Sequence, residues 1–254
     1  MRLNVIKVKD IKESEKVALA NSCLNLCNKC GFPTDYNDVY EHILGDPRFI
    51  NVFAMTDDGN LVGFLSVYPI VNQYKGIKNV NVLLEGGIVD PAYQGKGLIK
   101  AMTSKILGFI SQDLLVMDDS KFNLVARSQN PAIYRLMDKF SQTLSPTTKG
   151  EIDKELASYL KSIKEFEPFI GNFDDFMIVK NAYPSRKIQV KTSLTDVNNM
   201  FFNLPDNDAY IMFGKGIKDY DKDVFDQGAY SAVGQYMINL VRKSLSMDVP
   251  EQGI

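Results

Sequence analysis

The run Leu84-Glu-Gly-Gly-Ile-Val-Asp-Pro-Ala-Tyr-Gln-Gly-Lys-Gly-Leu98 is where residue types and spacing most clearly permit chemistry. An apolar strand pattern over 80–89 is broken by Asp90-Pro91, and Gln94-Gly95-Lys96-Gly97 then turns directly into a helix pattern that begins at Leu98. A helix N-terminus presents backbone N–H groups with no intrahelical acceptor, at the positive end of the helix dipole, and so binds phosphate well. Glycines at positions 95 and 97 let the backbone approach an anion closely, and Lys96 adds a charge at the rim. The turn is too short for a GxxxxGK[ST] phosphate loop and lacks the GxGxxG spacing of a dinucleotide site. The pattern points to a pyrophosphate-bearing ligand other than a nucleoside triphosphate.

Two other groups of residues could do chemistry. Cys23, Cys27 and Cys30 have a C-x3-C-x2-C spacing, and three thiolates there could hold an iron–sulfur cluster. The same i, i+4, i+7 spacing is also what one buried face of a helix gives, and free cysteine is among the most buried residue types. His42 is the single histidine, so a multi-histidine metal site is excluded. It could line an acceptor site or sit on a helix surface. Tyr36, Tyr40, Tyr68 and Tyr74 could wall a pocket or fill a core.

Elements able to position these residues follow from periodicity. Residues 4–9 largely alternate, as a half-buried strand does. Val17, Ala20, Leu24 and Cys27 recur at helical spacing over 11–30, and Gly31 and Pro33 end that helix. Thr34 or Asp35 can cap a second helix through Val39, Ile43 and Leu44. Strand patterns over 49–55 and 61–70 flank Asp57-Asp58-Gly59-Asn60, which has the chemistry of a tight hairpin turn. After the strand over 80–89, a helix over 98–112 carries Leu98, Met102, Ile106, Phe109 and Ile110 on one side. A strand over 122–127 and a helix over 130–140 opened by Pro131 come next. Beyond them the spacing predicts a polar loop over 141–150, an exposed charged helix over 151–164, strands over 176–182 and 209–213, a loop-rich stretch over 183–208 and an amphipathic last helix over 229–245.

Composition narrows the classes. With 29 Lys and Arg against 31 Asp and Glu and 45% apolar residues, the chain is that of an ordinary globular protein, and its slight acidity does not favour nucleic acid as a partner. Three cysteines are too few for a disulfide scaffold and suit a reducing compartment. The start, MRLNVIKVKDIKESEK, lacks the apolar stretch of a signal peptide, and no apolar run approaches the roughly 18 residues of a spanning helix. A cytoplasmic protein with no membrane segment is expected.

The run Val89-Asp-Pro-Ala-Tyr-Gln-Gly-Lys-Gly97 resembles the acyl-CoA signature of the GNAT N-acetyltransferase superfamily, whose pattern is Q/R-x-x-G-x-G/A. The strand over 122–127 and the following Asn130-Pro-Ala-Ile-Tyr-Arg-Leu-Met-Asp-Lys139 resemble that family's second coenzyme A motif. The resemblance implies an α+β fold: a mixed, mostly antiparallel central sheet flanked by helices over 1–216. Insertions at about 146–170 and 183–208 and a helical extension over 217–254 would account for a length well beyond a core of about 150 residues. It implies that backbone N–H groups of Gln94, Gly95, Lys96, Gly97, Leu98 and Ile99 hold the coenzyme A pyrophosphate. It further implies that the backbone of Ile88 and Val89 pairs with the pantetheine arm as an added strand would, and that Asn130 lies beside that arm.

The implied activity is transfer of an acyl group, most simply acetyl from acetyl-CoA, to a primary amine by direct attack, with no metal. Glu85, four residues before Val89 on the same strand face, is the candidate base. The acceptor would be a small-molecule or protein amine, and a homodimer is possible. Two positions depart from the family pattern: Ile99 stands where a small residue is usual, and Met137 where a tyrosine acid is expected, which leaves Tyr134, one turn earlier, as the candidate acid. A non-catalytic acyl-CoA-binding or regulatory module is the alternative. The cysteine spacing, for its part, resembles the cluster signature of radical S-adenosylmethionine enzymes and makes an iron–sulfur enzyme a third reading.

Overall fold

The computed structural model describes residues 1–32, 34–113, 121–183 and 192–217. Among them, 1–67 and 86–113 make one compact unit and 68–85 and 121–217 another.

In the first unit, β1 (Arg2–Lys7) pairs antiparallel with β2 (Ile50–Met55), and β2 pairs antiparallel with the start of β3 (Leu61–Tyr74), from Ile50↔Val67 to Met55↔Leu61. The β2–β3 turn closes where the sequence places Asp57-Asp58-Gly59-Asn60. Gly59 takes φ +79°, and Thr56 N–H donates to the Asn60 carbonyl at 2.9 Å. Next to β3 lies β4 (Ile77–Val89).

Three helices belong to this unit: α1 (Glu13–Lys29), α2 (Tyr36–Ile43) and α3 (Leu98–Asp113). Asp35 caps α2 by accepting from Asp38 N–H at 2.9 Å. The buried face of α1 is Ala20, Cys23, Leu26 and Cys27, whereas Val17 is 49% exposed. The apolar stripe is thus turned away from the Val17–Leu24 line, because the cysteines, not Val17, fill the core.

Helix α3 buries Leu98, Met102, Ile106, Leu107 and Ile110, each such side chain contributing on the order of 1.5–3 kcal/mol of transfer free energy. Its first turn seats closely on the strands at two glycines. A β-carbon at Gly63 would stand 3.3 Å from Met102 Cε and 3.3 Å from the Ile88 carbonyl oxygen, and one at Gly87 would stand 3.1 Å from Leu65 Cδ1.

In the second unit, β5 (Lys121–Ser128) runs parallel to β4 from Asn79↔Lys121 to Leu84↔Ala126. Strand β8 (Ala209–Ile217) is antiparallel to β5, and both β6 (Ser141–Ser145) and the two-residue β7 (Ile178–Val179) pair antiparallel with β8. Helices α4 (Pro131–Phe140), α5 (Lys154–Ser162), α6 (Glu167–Ile170) and α7 (Thr195–Phe202) complete it.

The parallel register of this unit is fixed by buried amides. Asn123 Nδ2 donates to Asn79 Oδ1 at 3.2 Å and to Asn81 Oδ1 at 3.0 Å, and Asn81 Nδ2 donates to the Tyr159 hydroxyl at 2.8 Å. A one-residue slip would strip these side chains of their partners inside the core, a cost of about 1–3 kcal/mol for each group left bare.

The α+β class holds: antiparallel pairings dominate, β4–β5 is parallel, and the chain crosses between those two strands through α3. Where a polar loop was expected over 141–150, Ser141–Ser145 is an edge strand, drawn into the sheet by β8 despite its polar side chains. The stretch over 183–208 contains α7, whose Val197, Met200 and Phe201 are buried. The helix expected over 229–245 lies outside the described residues. Among those residues, no helix is long and apolar enough to cross a membrane.

Candidate functional site

The strand–turn–helix at the end of β4 is built as its sequence suggests. Asp90 N–H donates to the Val62 carbonyl at 2.9 Å and so holds the end of β4 against β3. A short 3-10 turn, Pro91–Tyr93, is capped by Asp90, whose Oδ1 accepts from Ala92 N–H at 2.9 Å. Gly95 and Gly97 take φ +72° and +80°. A β-carbon at Gly95 would meet nothing within 4 Å, so that glycine serves conformation and not space.

The first intrahelical bond of α3 runs from Ala101 N–H to the Gly97 carbonyl at 3.0 Å. Leu98, Ile99 and Lys100 therefore carry first-turn N–H groups for which the helix has no acceptor, and no acidic residue stands in that turn. Lys96 Nζ lies 5.5 Å from the centre of the Tyr93 ring.

Gln94 differs from the other residues of the turn. Its N–H donates to the Asp90 carbonyl at 3.1 Å, and its Nε2 donates to the Val89 carbonyl at 2.8 Å. The same Val89 carbonyl accepts from Cys30 Sγ at 3.5 Å. Gln94 thus builds the turn, and the anion donors fall to the residues after it. With two side-chain donors on the Val89 oxygen, strand-like pairing of a ligand with this stretch has to use other backbone groups of Ile88 and Val89.

Asp90 is 3% exposed, and Lys29, in the last turn of α1, places Nζ 2.6 Å from Asp90 Oδ2. The lysine and the Ala92 N–H hold the Asp90 carboxyl below the usual carboxylate range, and the pairing raises the Lys29 ammonium. Sequence reasoning missed this pair, because 61 residues separate its partners and nothing local announces it. A groove of about 630 Å³ along α1 and the β2–β3 hairpin shares Lys29, Asp90 and Tyr93 in its walls.

Further back on β4, Glu85 is half-buried and is the first residue past Leu84↔Ala126, the last pair of the β4–β5 ladder. In the second unit, Asn130 caps α4: its Oδ1 accepts from Ala132 N–H at 2.9 Å, and its own N–H donates to Ser128 Oγ at 2.9 Å. The cap consumes one face of the amide and leaves the Nδ2 group as the part able to meet a ligand.

Tyr134 is buried, and its hydroxyl donates to the Pro146 carbonyl at 3.1 Å. Burial, with Asp138 nearby, pushes its pKa up to about 12. Such a hydroxyl is a poor proton donor at neutral pH, so the geometry lends the acid role of Tyr134 no support. Met137, one turn on, is fully buried.

The remaining candidates fall on structural positions. Cys23 and Cys27 are buried, and burial raises both thiols, Cys27 to about 12. Cys30 is partly exposed. Among the described residues no three His, Cys, Asp or Glu side chains are grouped to hold a metal ion. His42 is partly exposed on α2, with Nδ1 2.8 Å from the Asp38 carbonyl.

Residues 19–127 match the model of the acetyltransferase (GNAT) family. This region belongs to the GNAT family. The GNAT region takes in most of α1, the β2–β3 hairpin, β4, the glycine turn and most of β5. A comparison with curated proteins finds no match.

Among solved structures, the chain is similar to the ribosomal-protein-S18-alanine N-acetyltransferase of Escherichia coli, at 14% identity over 87% of this chain and 97% of that one, with a TM-score of 0.43. It is also similar to a GNAT family acetyltransferase of Staphylococcus aureus subsp. aureus USA300_TCH1516, at 17% identity over 50% and 87%, with a TM-score of 0.36. A third is the ribosomal-protein-alanine N-acetyltransferase of Brucella melitensis biovar Abortus 2308, at 21% identity over 44% and 73%, with a TM-score of 0.31. Likeness at this level adds no weight to the family assignment, which rests on the match over residues 19–127.

Proposed function

We propose that the chain is an acyl-CoA-dependent N-acyltransferase, most simply one that moves acetyl from acetyl-CoA to a primary amine by direct attack. One observation carries this reading. A strand exit, two glycines at positive φ and a helix start free of acidic side chains leave the first-turn N–H groups of Leu98, Ile99 and Lys100 without an intrahelical acceptor, within a GNAT-family region. That is a diphosphate cradle of the kind coenzyme A requires.

In this reading Gly95, Lys96, Gly97, Leu98 and Ile99 hold the pyrophosphate, while Ile88, Val89 and Asn130 border the pantetheine arm. Glu85, on the same strand as the turn, is the base. Its carboxylate takes a proton from the acceptor ammonium; the amine nitrogen bonds to the thioester carbonyl carbon; the carbon–sulfur bond breaks with its electron pair on sulfur, and the nitrogen gives up its second proton to solvent to leave the neutral amide. A thiol of ordinary pKa near 8.5 leaves as the thiolate without an acid, so transfer proceeds with Tyr134 bound to Pro146. The acceptor is a small-molecule or protein amine. The work is done without a metal, and in the cytoplasm, where three free cysteines persist.

A buried Met137 in place of an acid and a committed Tyr134 favour a second reading, a non-catalytic acyl-CoA-binding module. Release of free thiol from acetyl-CoA in the presence of a panel of amines separates the two. Amine-dependent thiol release supports transfer, and binding of coenzyme A with no release under any amine supports the module.

A further inference from the structure

We propose that Lys29 and Asp90 form a clasp that holds the glycine turn in its anion-binding shape, so that α1, which carries none of the phosphate donors, sets the affinity for the diphosphate. This rests on the reading of that turn as the coenzyme A pyrophosphate cradle.

The case begins with how much backbone Asp90 commands. Its N–H is tied to Val62, its carbonyl accepts from Tyr93 N–H at 2.8 Å and from Gln94 N–H at 3.1 Å, and its carboxylate caps Ala92. Any displacement of Asp90 therefore moves residues 90–94, which lead straight into Gly95 and Gly97. Strand β3 restrains Asp90 on one side through the Val62 carbonyl. A second restraint comes from Lys29, at the C-terminal end of α1, where the helix's own carbonyl groups favour a cation.

Exposure decides the magnitude. An ion pair between two exposed side chains contributes little. Here Lys29 is 61% exposed in its side chain but the Asp90 side chain is only 4% exposed. Removing the lysine charge leaves a carboxylate of low exposure without its ion-pair partner and with the Ala92 N–H as its hydrogen-bond donor, which loosens its hold on the turn. The last turn of α1 makes a second contact at the same place, Cys30 Sγ to the Val89 carbonyl at 3.5 Å. Two consecutive residues of one helix end thus grip two consecutive residues at the strand exit.

The test compares the full-length protein with Lys29→Met, Lys29→Arg, Asp90→Asn and the Lys29→Met/Asp90→Asn pair. Coenzyme A affinity is read by isothermal titration calorimetry, and exchange of the hydrogen-bonded amides over 90–94 is read without ligand. Lys29→Met is expected to bind about tenfold more weakly and to exchange faster over 90–94, with Lys29→Arg restoring both. The double variant is expected to bind no more weakly than the weaker single one, since both remove the same interaction. Lys29, being exposed, can be changed without loss of folding even if Asp90→Asn unfolds the turn.

Affinity for coenzyme A within about twofold of the wild type in Lys29→Met overturns the clasp. So does weaker binding with unchanged exchange, since that would make Lys29 a direct contact. If the wild type itself does not bind coenzyme A, the acyl-CoA reading falls and the clasp as a setter of diphosphate affinity falls with it, while faster exchange in Lys29→Met would still report that the pair orders the turn.

Discussion

Ile99 Cδ1 lies 3.5 Å from the position that a β-carbon would take at Gly87. The two residues belong together. The acyl-CoA signature that this turn resembles has a small residue where Ile99 stands, and here the strand supplies the missing space by having no side chain at Gly87. The first turn of α3 can therefore sit close to β4 with a large residue on the helix instead of a small one.

A side chain returned to Gly87 should overpack this junction. Gly87→Val is expected to destabilise by about 1–3 kcal/mol, measured by urea unfolding, because the new methyls press on Leu65 and Ile99. Adding Ile99→Ala should recover part of the loss. No recovery would show that the cost arises against Leu65 alone.

Tyr134 should prove structural. Tyr134→Phe deletes the hydrogen bond to Pro146 and should cost about 1 kcal/mol of stability, leaving the rate of thiol release within a few-fold of the wild type. A fall of a hundredfold or more in turnover, with stability intact, would restore the acid role.

Acid should weaken the clasp in a defined direction. The folded-state pKa of Asp90 is lowered, first by Lys29 and next by the Ala92 N–H, and the Cys30 thiol at the end of α1 also faces it. The contribution of Asp90 to stability is therefore complete above the ordinary carboxylate value of about 4 and is lost as pH falls through the lowered value. The difference in urea midpoint between the wild type and Lys29→Met should shrink steadily below about pH 4. A difference that persists unchanged to about pH 2 would contradict the ionic character of the pair.

Glu85→Gln removes the base and keeps the shape. Turnover is expected to fall by about 10²–10⁴-fold with little change in coenzyme A affinity, and the acidic limb of the pH–rate profile should disappear. An unaltered profile would rule Glu85 out.

How much of this was legible in the sequence differs from place to place. The hairpin around Gly59, a cap at Thr34 or Asp35, the strand–turn–helix over 84–98 and the helix opened by Pro131 were legible because each is written in local chemistry: a turn glycine, a capping oxygen, a proline at the helix start. Ser141–Ser145 was not, because its polar residues have little strand character without β8 beside them. Val17 was misplaced because helical spacing gives a face but not which residues of the face meet the sheet. Within the site, the residues of the turn could be named from sequence, but their division of labour could not. That Gln94 spends its N–H and side chain on Asp90 and Val89, and that Lys29 reaches Asp90, depends on side-chain contacts that no spacing rule encodes.

The central claim is that the turn at Gly95–Gly97 holds the diphosphate of coenzyme A, and titration of coenzyme A into the wild type and Gly95→Glu tests it most directly. The substitution forces a side chain onto φ +72° and places a negative charge where the anion should sit. Saturable binding by the wild type, weakened at least about tenfold in Gly95→Glu, is the expected result. Equal affinity in the two proteins, or no binding by the wild type, would contradict it.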